Sequence, residues 1–181
     1  SRAASVDSRS RTRTLLAALG LVLAVLALYW PVRAHDFVAY DDDIYLTRNP
    51  HLAQGLDWTA ARWLATHAYG ANYHPLTWLA HMLDVELFGP ESGPHQLVNV
   101  ALHALNALLV LAFFLRLGGA LTAAFVGAAL FAWHPLRVES VAWVAERKDV
   151  LSGFFWLATL WAYAIYVERR RNRGAGAGRF Y

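Results

Sequence analysis

The chain has 181 residues, of which 57% are hydrophobic and 16% are charged. An average soluble domain is about 45–50% apolar and about 25% charged, so the composition indicates a membrane protein and disfavours a soluble globular domain. The absence of cysteine excludes a disulfide framework and a thiolate metal site.

The formal net charge is +3, and eight of the 16 basic residues form two arginine clusters, one near each end of the chain. Their members are Arg2, Arg9, Arg11 and Arg13, and Arg169, Arg170, Arg171 and Arg173. Each cluster flanks an apolar run, which is typical of charges that hold helix ends in the cytoplasm. Nucleic-acid binding by basic tails is the alternative. The position of the clusters beside apolar runs favours the membrane, so we expect no nucleic-acid partner.

The first apolar run predicts a transmembrane helix over 15–33, preceded by a disordered cytoplasmic tail over 1–14. An uncharged stretch of about 18 residues can span a hydrocarbon core of about 30 Å. A cleaved signal peptide ending near Ala34 is the alternative, but the run is long and its end is bulky. Both interpretations place the next segment outside the membrane.

That outer segment, 34–96, is rich in Asp and Glu and poor in Arg and Lys, as expected of a translocated loop. A loop of this length needs structure of its own. We predict a short helix over 57–66 and a second over 74–88, with Pro75 in its first turn. An apolar stripe on the second helix suits the membrane surface.

The fold class is therefore predicted to be all-α, a polytopic membrane helix bundle with about four transmembrane helices. The remaining spans are predicted over 97–117, 120–133 and 150–167, with a second outer loop over 134–149 and a basic, glycine-rich cytoplasmic tail over 168–181. Four spans place both arginine clusters on one side of the membrane and both loops on the other.

Polar side chains interrupt the second span at Asn99, His103 and Asn106, which share one helix face. Polar groups at membrane depth usually face the bundle interior. Two interpretations stay open: hydrogen bonds between helices, or a line of polar groups that reaches a site.

Candidate catalytic groups lie in both outer loops. The first loop has three consecutive carboxylates, Asp41, Asp42 and Asp43. In the second, Pro135 can open a helix that would place three acidic residues on one face and three cations nearby. Those residues are Glu139, Glu146 and Asp149, with Arg137, Arg147 and Lys148.

Carboxylates act as general bases and bind hard divalent cations, and arginine and lysine hold phosphate. The set suits removal of a proton from a hydroxyl beside a phosphate leaving group. The alternatives are a solvated acidic surface in the first loop and an ordinary charged helix end in the second. His67, His74 and His81 lack the close spacing of a histidine metal site.

Four motifs in this order carry a family resemblance: YDDDIYLTRNP, YHPLTWLAHMLDVELFG, GPHQLVNVALHALNALL and HPLRVESVAWVAERKDVLS. From about 15 to 166, the chain resembles the N-terminal part of bacterial membrane proteins that carry tetratricopeptide repeats. It is also similar to the animal transmembrane and tetratricopeptide-repeat O-mannosyltransferases, which belong to the GT-C superfamily of glycosyltransferases.

The resemblance implies a GT-C-like fold and transfer of a sugar from a polyprenyl-phosphate donor to a protein Ser/Thr, a glycan or another hydroxyl. It implies catalytic roles for Asp42 and Asp43, with Asp41 adjacent. It implies donor-phosphate binding by Arg147, Lys148 and Arg137. It implies supporting roles for Glu139, Asp149 and His74. A divalent cation, Mg or Mn, is a possible cofactor, with Asp42, Asp43 and Glu139 as candidate ligands.

Members of this superfamily have about twice as many membrane helices, and no 34-residue helical repeat is found in this chain. We therefore expect the chain to be part of a larger protein, and enzymatic activity to belong to the full length. The expected location is a bacterial inner membrane, with cytoplasmic termini and periplasmic loops. The alternative functions are a non-catalytic membrane anchor for a repeat domain and a small transporter or proton-relay subunit that uses His103.

Overall fold

A computed structural model describes residues 2–52, 56, 58–69 and 72–177. Seven α-helices make up most of these ranges: α1 (Arg2–Tyr29), α2 (Trp58–Thr66), α3 (Pro75–Phe88), α4 (Ser92–Arg116), α5 (Leu121–Trp133), α6 (Arg137–Ala142) and α7 (Arg147–Ala177). Three shorter helical turns cover Trp30–Ala34, Asp43–Thr47 and Val144–Glu146. The described residues contain no named strand, only an isolated bridge between Tyr69 and Asn72.

Three helical stretches are long and apolar enough to cross a membrane: Ser8–Ala34, Ser92–Arg116 and Val144–Asn172. The predicted all-α membrane helix bundle is therefore confirmed. Helix α5 has 13 residues, which is about 20 Å of helix against a hydrocarbon core of about 30 Å. The predicted four spans thus become three long helices and one apolar helix too short to cross alone.

Both ends of the described chain are more helical than predicted. Helix α1 begins at Arg2, within the tail that was predicted to be disordered. Helix α7 continues to Ala177, through most of the predicted glycine-rich tail, whose last four residues, 178–181, lie outside the described residues. Arginine is a good helix former, and neither tail contains a proline to stop the helix.

Helix α4 lies at the centre of the membrane part and packs against α1, α5 and α7. The core there consists of Leu21 and Val25 from α1, Val100, Ala104 and Ala107 from α4, and Ala124, Ala128 and Ala132 from α5. Because many of these side chains are small, the helix backbones approach closely, as is common in membrane helix packing.

The polar side chains of α4 form hydrogen bonds between segments, the first of the two interpretations given above. Asn99 Nδ2 donates to the carbonyl of Trp143 at 3.0 Å. Asn106 Nδ2 donates to the carbonyl of Val150 at 2.9 Å. His103 Nε2 lies 3.0 Å from the carbonyl of Ala132, in the last turn of α5. Carbonyls in a last helical turn lack a partner within their own helix, so His103 supplies one.

A second core holds the outer part of the chain together. Tyr45 and Leu46 of the first loop pack with Trp63 of α2, Trp78 of α3 and Val144 of the second loop. The Tyr45 and Trp78 rings stack with their centroids 4.7 Å apart. This cluster joins the two outer loops to the short helices predicted in the first.

Helix α3 begins at Pro75, one residue after the predicted start, and ends at Phe88, followed by Gly89, whose φ of +71° suits glycine. Its apolar stripe includes Leu76, Leu83 and Leu87, which are exposed on the outside of the fold. His81 and Asp84 face inward and are buried. Leucines outside and polar groups inside are the pattern of a helix that lies against lipid.

The second outer loop is not one continuous helix. Helix α6 ends at Ala142, Trp143 is extended with φ −118° and ψ 124°, and a short turn leads into α7 at Arg147. The predicted shared face of Glu139, Glu146 and Asp149 is therefore wrong, because the extended residue breaks the helical register between them.

Candidate active site at the outer loops

The three aspartates stand at the start of a helical turn, not on an extended segment. Asp41 and Asp42 precede the turn over Asp43–Thr47. Successive side chains of a helix are rotated by about 100°. The three carboxylates therefore point in different directions and have different surroundings.

Asp42 is buried, with 1% of its surface exposed, and it joins the two outer loops. One carboxylate oxygen accepts the backbone N–H of Val38 at 2.8 Å, and the other accepts the backbone N–H of Ala145 at 2.9 Å. Burial raises the pKa of Asp42, and the Val38 and Ala145 donors oppose that rise. Asp42 is thus the direct link between the acidic motif and the second loop.

We expect Asp42→Asn to lower the free energy of unfolding by about 1–3 kcal/mol. An amide keeps one acceptor oxygen, but its NH2 group faces the second backbone N–H, which stays buried without a partner. Thermal unfolding of the detergent-solubilised protein measures this. Asp43→Asn is the matched control, because its ion pair is exposed and contributes less than about 1 kcal/mol. Equal losses for both variants would contradict the linking role.

Asp43 and Asp41 are both partly exposed but differ in their partners. Asp43 forms an ion pair with Arg48 at 3.1 Å and accepts a hydrogen bond from Thr47 Oγ1 at 3.1 Å. Within the described part of the chain, the Asp41 side chain forms no hydrogen bond or ion pair. Asp41 is therefore the carboxylate of the motif that is open to an incoming group.

A cleft of about 360 Å³ lies between the two loops, and Tyr40, which precedes Asp41 in the sequence, is part of its lining. Its lining residues are Val38, Tyr40, Val138, Glu139, Ala142 and Trp143. Glu139, one of the predicted supporting residues, is exposed at this cleft. Asp149 lies elsewhere on the loop, where it accepts a hydrogen bond from Ser140 Oγ at 3.1 Å.

A second cavity, of about 330 Å³, is lined by both Lys148 and His74. The sequence predicted Lys148 as a phosphate-binding residue and His74 as a supporting residue. Leu151, Ser152 and Phe155 of α7 also line this cavity. Lys148 Nζ contacts Glu146 Oε1 at 2.6 Å and the carbonyl of Ala145 at 3.4 Å. An ammonium group has three donors, so one remains for a ligand.

The other two predicted phosphate-binding residues differ sharply in exposure. Arg137 is exposed and lies over the Phe131 ring, 4.6 Å from its centroid. Arg147 has no exposed surface. A fully buried guanidinium offers no face to a phosphate, so a phosphate-binding role for Arg147 does not fit this conformation.

Arg147 is the centre of a buried network that sequence reasoning missed. Its Nη1 forms an ion pair with Asp84 of α3, its Nε donates to Asn99 Oδ1 at 2.7 Å, and its Nη2 donates to the His95 carbonyl at 2.6 Å. Burial raises the pKa of Asp84, and the Arg147 charge opposes that rise. The pattern that could have pointed to it is an aspartate on the side of α3 opposite its leucine stripe.

The proposed cation ligands do not come together as a cation site. Both Asp42 oxygens accept backbone N–H groups, and Asp43 pairs with Arg48. Within the described ranges, the grouping of potential metal ligands does not include Asp42, Asp43 or Glu139. These carboxylates therefore do not fit a Mg or Mn site.

Comparison with known proteins gives several relatives that share one name, protein O-mannosyl-transferase. Protein O-mannosyl-transferase TMTC2 of Mus musculus is 32% identical over 152 residues, which cover 80% of this chain and 18% of the relative. TMTC1 of Mus musculus is 31% identical over 74% of the chain. TMTC4 of Homo sapiens is 29% identical over 89% of the chain and 25% of its own length.

The chain is similar to the protein O-mannosyl-transferases. It spans less than a fifth of the length of TMTC2. No protein-family model matches the chain, and no solved structure matches it. Together with the three apolar helices, these relatives support an integral membrane protein similar to O-mannosyl-transferases.

Proposed function

We propose that this chain is the donor- and acceptor-binding membrane part of a glycosyltransferase that moves mannose from a polyprenyl-phosphate donor to a hydroxyl, with a protein Ser/Thr as acceptor. The observation that carries the proposal is that Asp42 joins the acidic motif to the second loop through Ala145. This contact joins the loop of Asp41, whose carboxylate is unpaired among the described residues, to the loop of Lys148. The Lys148 ammonium group keeps one donor beyond its contacts with Glu146 and Ala145. The resemblance and the named activity of the relatives support it.

Asp41 would act as the base. It is the partly exposed carboxylate of the motif, without a side-chain partner among the described residues. A general base must reach the proton that it removes, and Asp42 cannot, because its two oxygens already accept backbone N–H groups. We therefore assign Asp42 and Asp43 to positioning the motif, and Asp41 to chemistry.

Lys148 would bind the donor phosphate. The lining of its cavity combines this cation and His74 with apolar residues of the membrane helix α7, Leu151 and Phe155. A polyprenyl phosphate likewise combines a charged head with an apolar chain. Arg137, exposed in the same loop, would add positive charge, and Arg147 would hold the loop from within.

The proposed reaction is a single displacement at the sugar C1. Asp41 takes the proton of the acceptor hydroxyl, and the hydroxyl oxygen forms a bond to the sugar C1. The bond from C1 to the phosphate oxygen breaks, and polyprenyl phosphate leaves with the electron pair next to Lys148. Direct displacement inverts the configuration at C1. Since a charge-assisted contact stabilises the leaving phosphate, Lys148 acts on the departing group.

The two loops would face the outer side of the membrane, with the arginine clusters in the cytoplasm. The compartment would be the periplasm of a bacterial inner membrane, as the resemblance implies. A line of polar groups for proton transport is not favoured, because His103 contacts the carbonyl of Ala132.

Lys148→Gln tests the donor site. We expect the KM for the polyprenyl-phosphate sugar to rise about 10- to 100-fold, the cost of one charged hydrogen bond. Steady-state transfer by the full-length protein in membranes measures this. Arg62→Gln is the matched control, since Arg62 is an exposed cation on α2. An unchanged KM for Lys148→Gln would remove Lys148 from the donor site.

A further inference from the structure

A buried cluster of His81, Asp84 and His95 connects α3 to α4, below the loops that carry the proposed chemistry. Their potential ligand atoms all lie within 4.8 Å of one another. His81 and His95 have no exposed surface, and Asp84 is 4% exposed. His81 and Asp84 stand three residues apart on α3, so they share one face of the helix.

Among the described residues, neither ring nitrogen of His81 has a hydrogen-bond partner, and both are buried. Buried polar atoms in native proteins nearly always have a partner. Leaving two of them unpaired in one ring is costly. The ring therefore indicates a ligand that the described protein atoms do not supply, and a metal ion would bind one of its two nitrogens.

His95 has the arrangement of a metal-binding histidine. Its Nε2 lies 2.9 Å from the carbonyl of Gly89, and since a carbonyl can only accept, Nε2 carries the hydrogen. In the neutral ring, Nδ1 then has a lone pair, which is buried without a hydrogen-bond donor and faces Asp84 Oδ2 at 3.6 Å. A lone pair opposite a carboxylate is repulsive unless a cation or a proton lies between them. Metal-binding histidines typically donate their other N–H to a carbonyl in this way.

We propose that His81, Asp84 and His95 bind a divalent transition-metal ion, with Zn²⁺ as the best match to two imidazoles and one carboxylate. The ion would fix the surface helix α3 to the membrane helix α4. In tetrahedral coordination, ligand atoms about 2.1 Å from zinc lie about 3.4 Å apart. Asp84 Oδ2 and His95 Nδ1 are 3.6 Å apart, close to that value, and the ligand atom of His81 lies within 4.8 Å of both and would move closer when the ion binds.

Arg147 disfavours cation binding at this site, because its positive charge lies next to the Asp84 carboxylate. Asp84 Oδ2 lies against both Arg147 Nη1 and His95 Nδ1, so the carboxylate separates the guanidinium from the proposed ion. Hydrogen bonding of a ligating carboxylate by a neighbouring group is common in metal sites.

The test uses the full-length protein, purified with a histidine-free tag, loaded with Zn²⁺ and dialysed. We expect about one zinc per chain by elemental analysis, and a loss to background in His81→Gln and in His95→Gln. His67→Gln is the matched control, because His67 is exposed and its Nδ1 contacts Thr66 Oγ1; it should keep the zinc. Wild-type protein that is folded but metal-free, or a His81→Gln variant that keeps the zinc, would overturn the proposal.

Cobalt gives a second readout that needs no variant. Co²⁺ in the wild-type protein should produce the visible absorption of a tetrahedral site, and added Zn²⁺ should remove that absorption. Zn²⁺ should also raise the thermal midpoint by several degrees. Absence of the cobalt spectrum would overturn the proposal even if both histidine variants failed to fold. The site is independent of the transferase activity, so failure in this test leaves the proposed function standing.

Discussion

Replacing Arg147 with methionine is expected to lower the free energy of unfolding by about 3–5 kcal/mol. The guanidinium has no exposed surface and bonds to Asp84, Asn99 and the carbonyl of His95. Its removal leaves the Asp84 carboxylate buried without its ion-pair partner. Since whole domains have stabilities of about 5–15 kcal/mol, the variant should be recovered in low yield and should unfold early in a thermal scan.

Lys148→Met is the matched control for this experiment. Lys148 is the next residue along, and its side chain is 28% exposed, with one carboxylate partner. Loss of such a partly exposed pair should cost about 1 kcal/mol or less. If Arg147→Met were as stable as Lys148→Met, the buried network would not hold the second loop in place.

Asp41→Asn is expected to reduce the rate of sugar transfer at least about 100-fold, the usual minimum contribution of a general base. The substitution keeps the size and shape of the side chain and removes its ability to take a proton. Because Asp41 makes no side-chain hydrogen bond or ion pair among the described residues, the thermal midpoint should stay within about a degree of the wild type. The measurement is kcat under saturating donor, together with a thermal scan of the same preparation.

Asp43→Asn tests whether Asp41 or the neighbouring Asp43 is the base. Asp43 is paired with Arg48, so its substitution should lower the rate much less than that of Asp41. A larger loss at Asp43 than at Asp41 would assign the base to the paired carboxylate. That outcome would not contradict the hydrogen bond between Asp42 and Ala145, which joins the two loops.

The helices and the pairing of the two loops could be predicted from local patterns. Apolar runs long enough to cross a membrane marked the spans, and Pro75 marked the first turn of α3. Local patterns could not assign roles to the acidic residues. Asp42 meets Ala145 across 103 positions, and Arg147 meets Asp84 across 63 positions. Which aspartate is buried depends on how α3 and the second loop pack around it.

The second loop also has a structure that local sequence patterns do not predict. A continuous helix from Pro135 was a reasonable expectation from the spacing of Glu139, Glu146 and Asp149. The extended residue Trp143 breaks that helix, and its carbonyl accepts a hydrogen bond from Asn99 of α4. The break is thus stabilised by a partner 44 residues earlier in the chain, which no local pattern reports.

The most direct test of the proposed function is transfer of labelled mannose from a polyprenyl-phosphate donor to a Ser/Thr-containing peptide. Membranes that contain the full-length protein are compared with membranes that lack it and with membranes that contain Asp41→Asn. We predict label on the peptide with the wild-type protein and background label in the other two samples. Correctly inserted wild-type protein that gives only background label would contradict the transferase function and favour a membrane anchor.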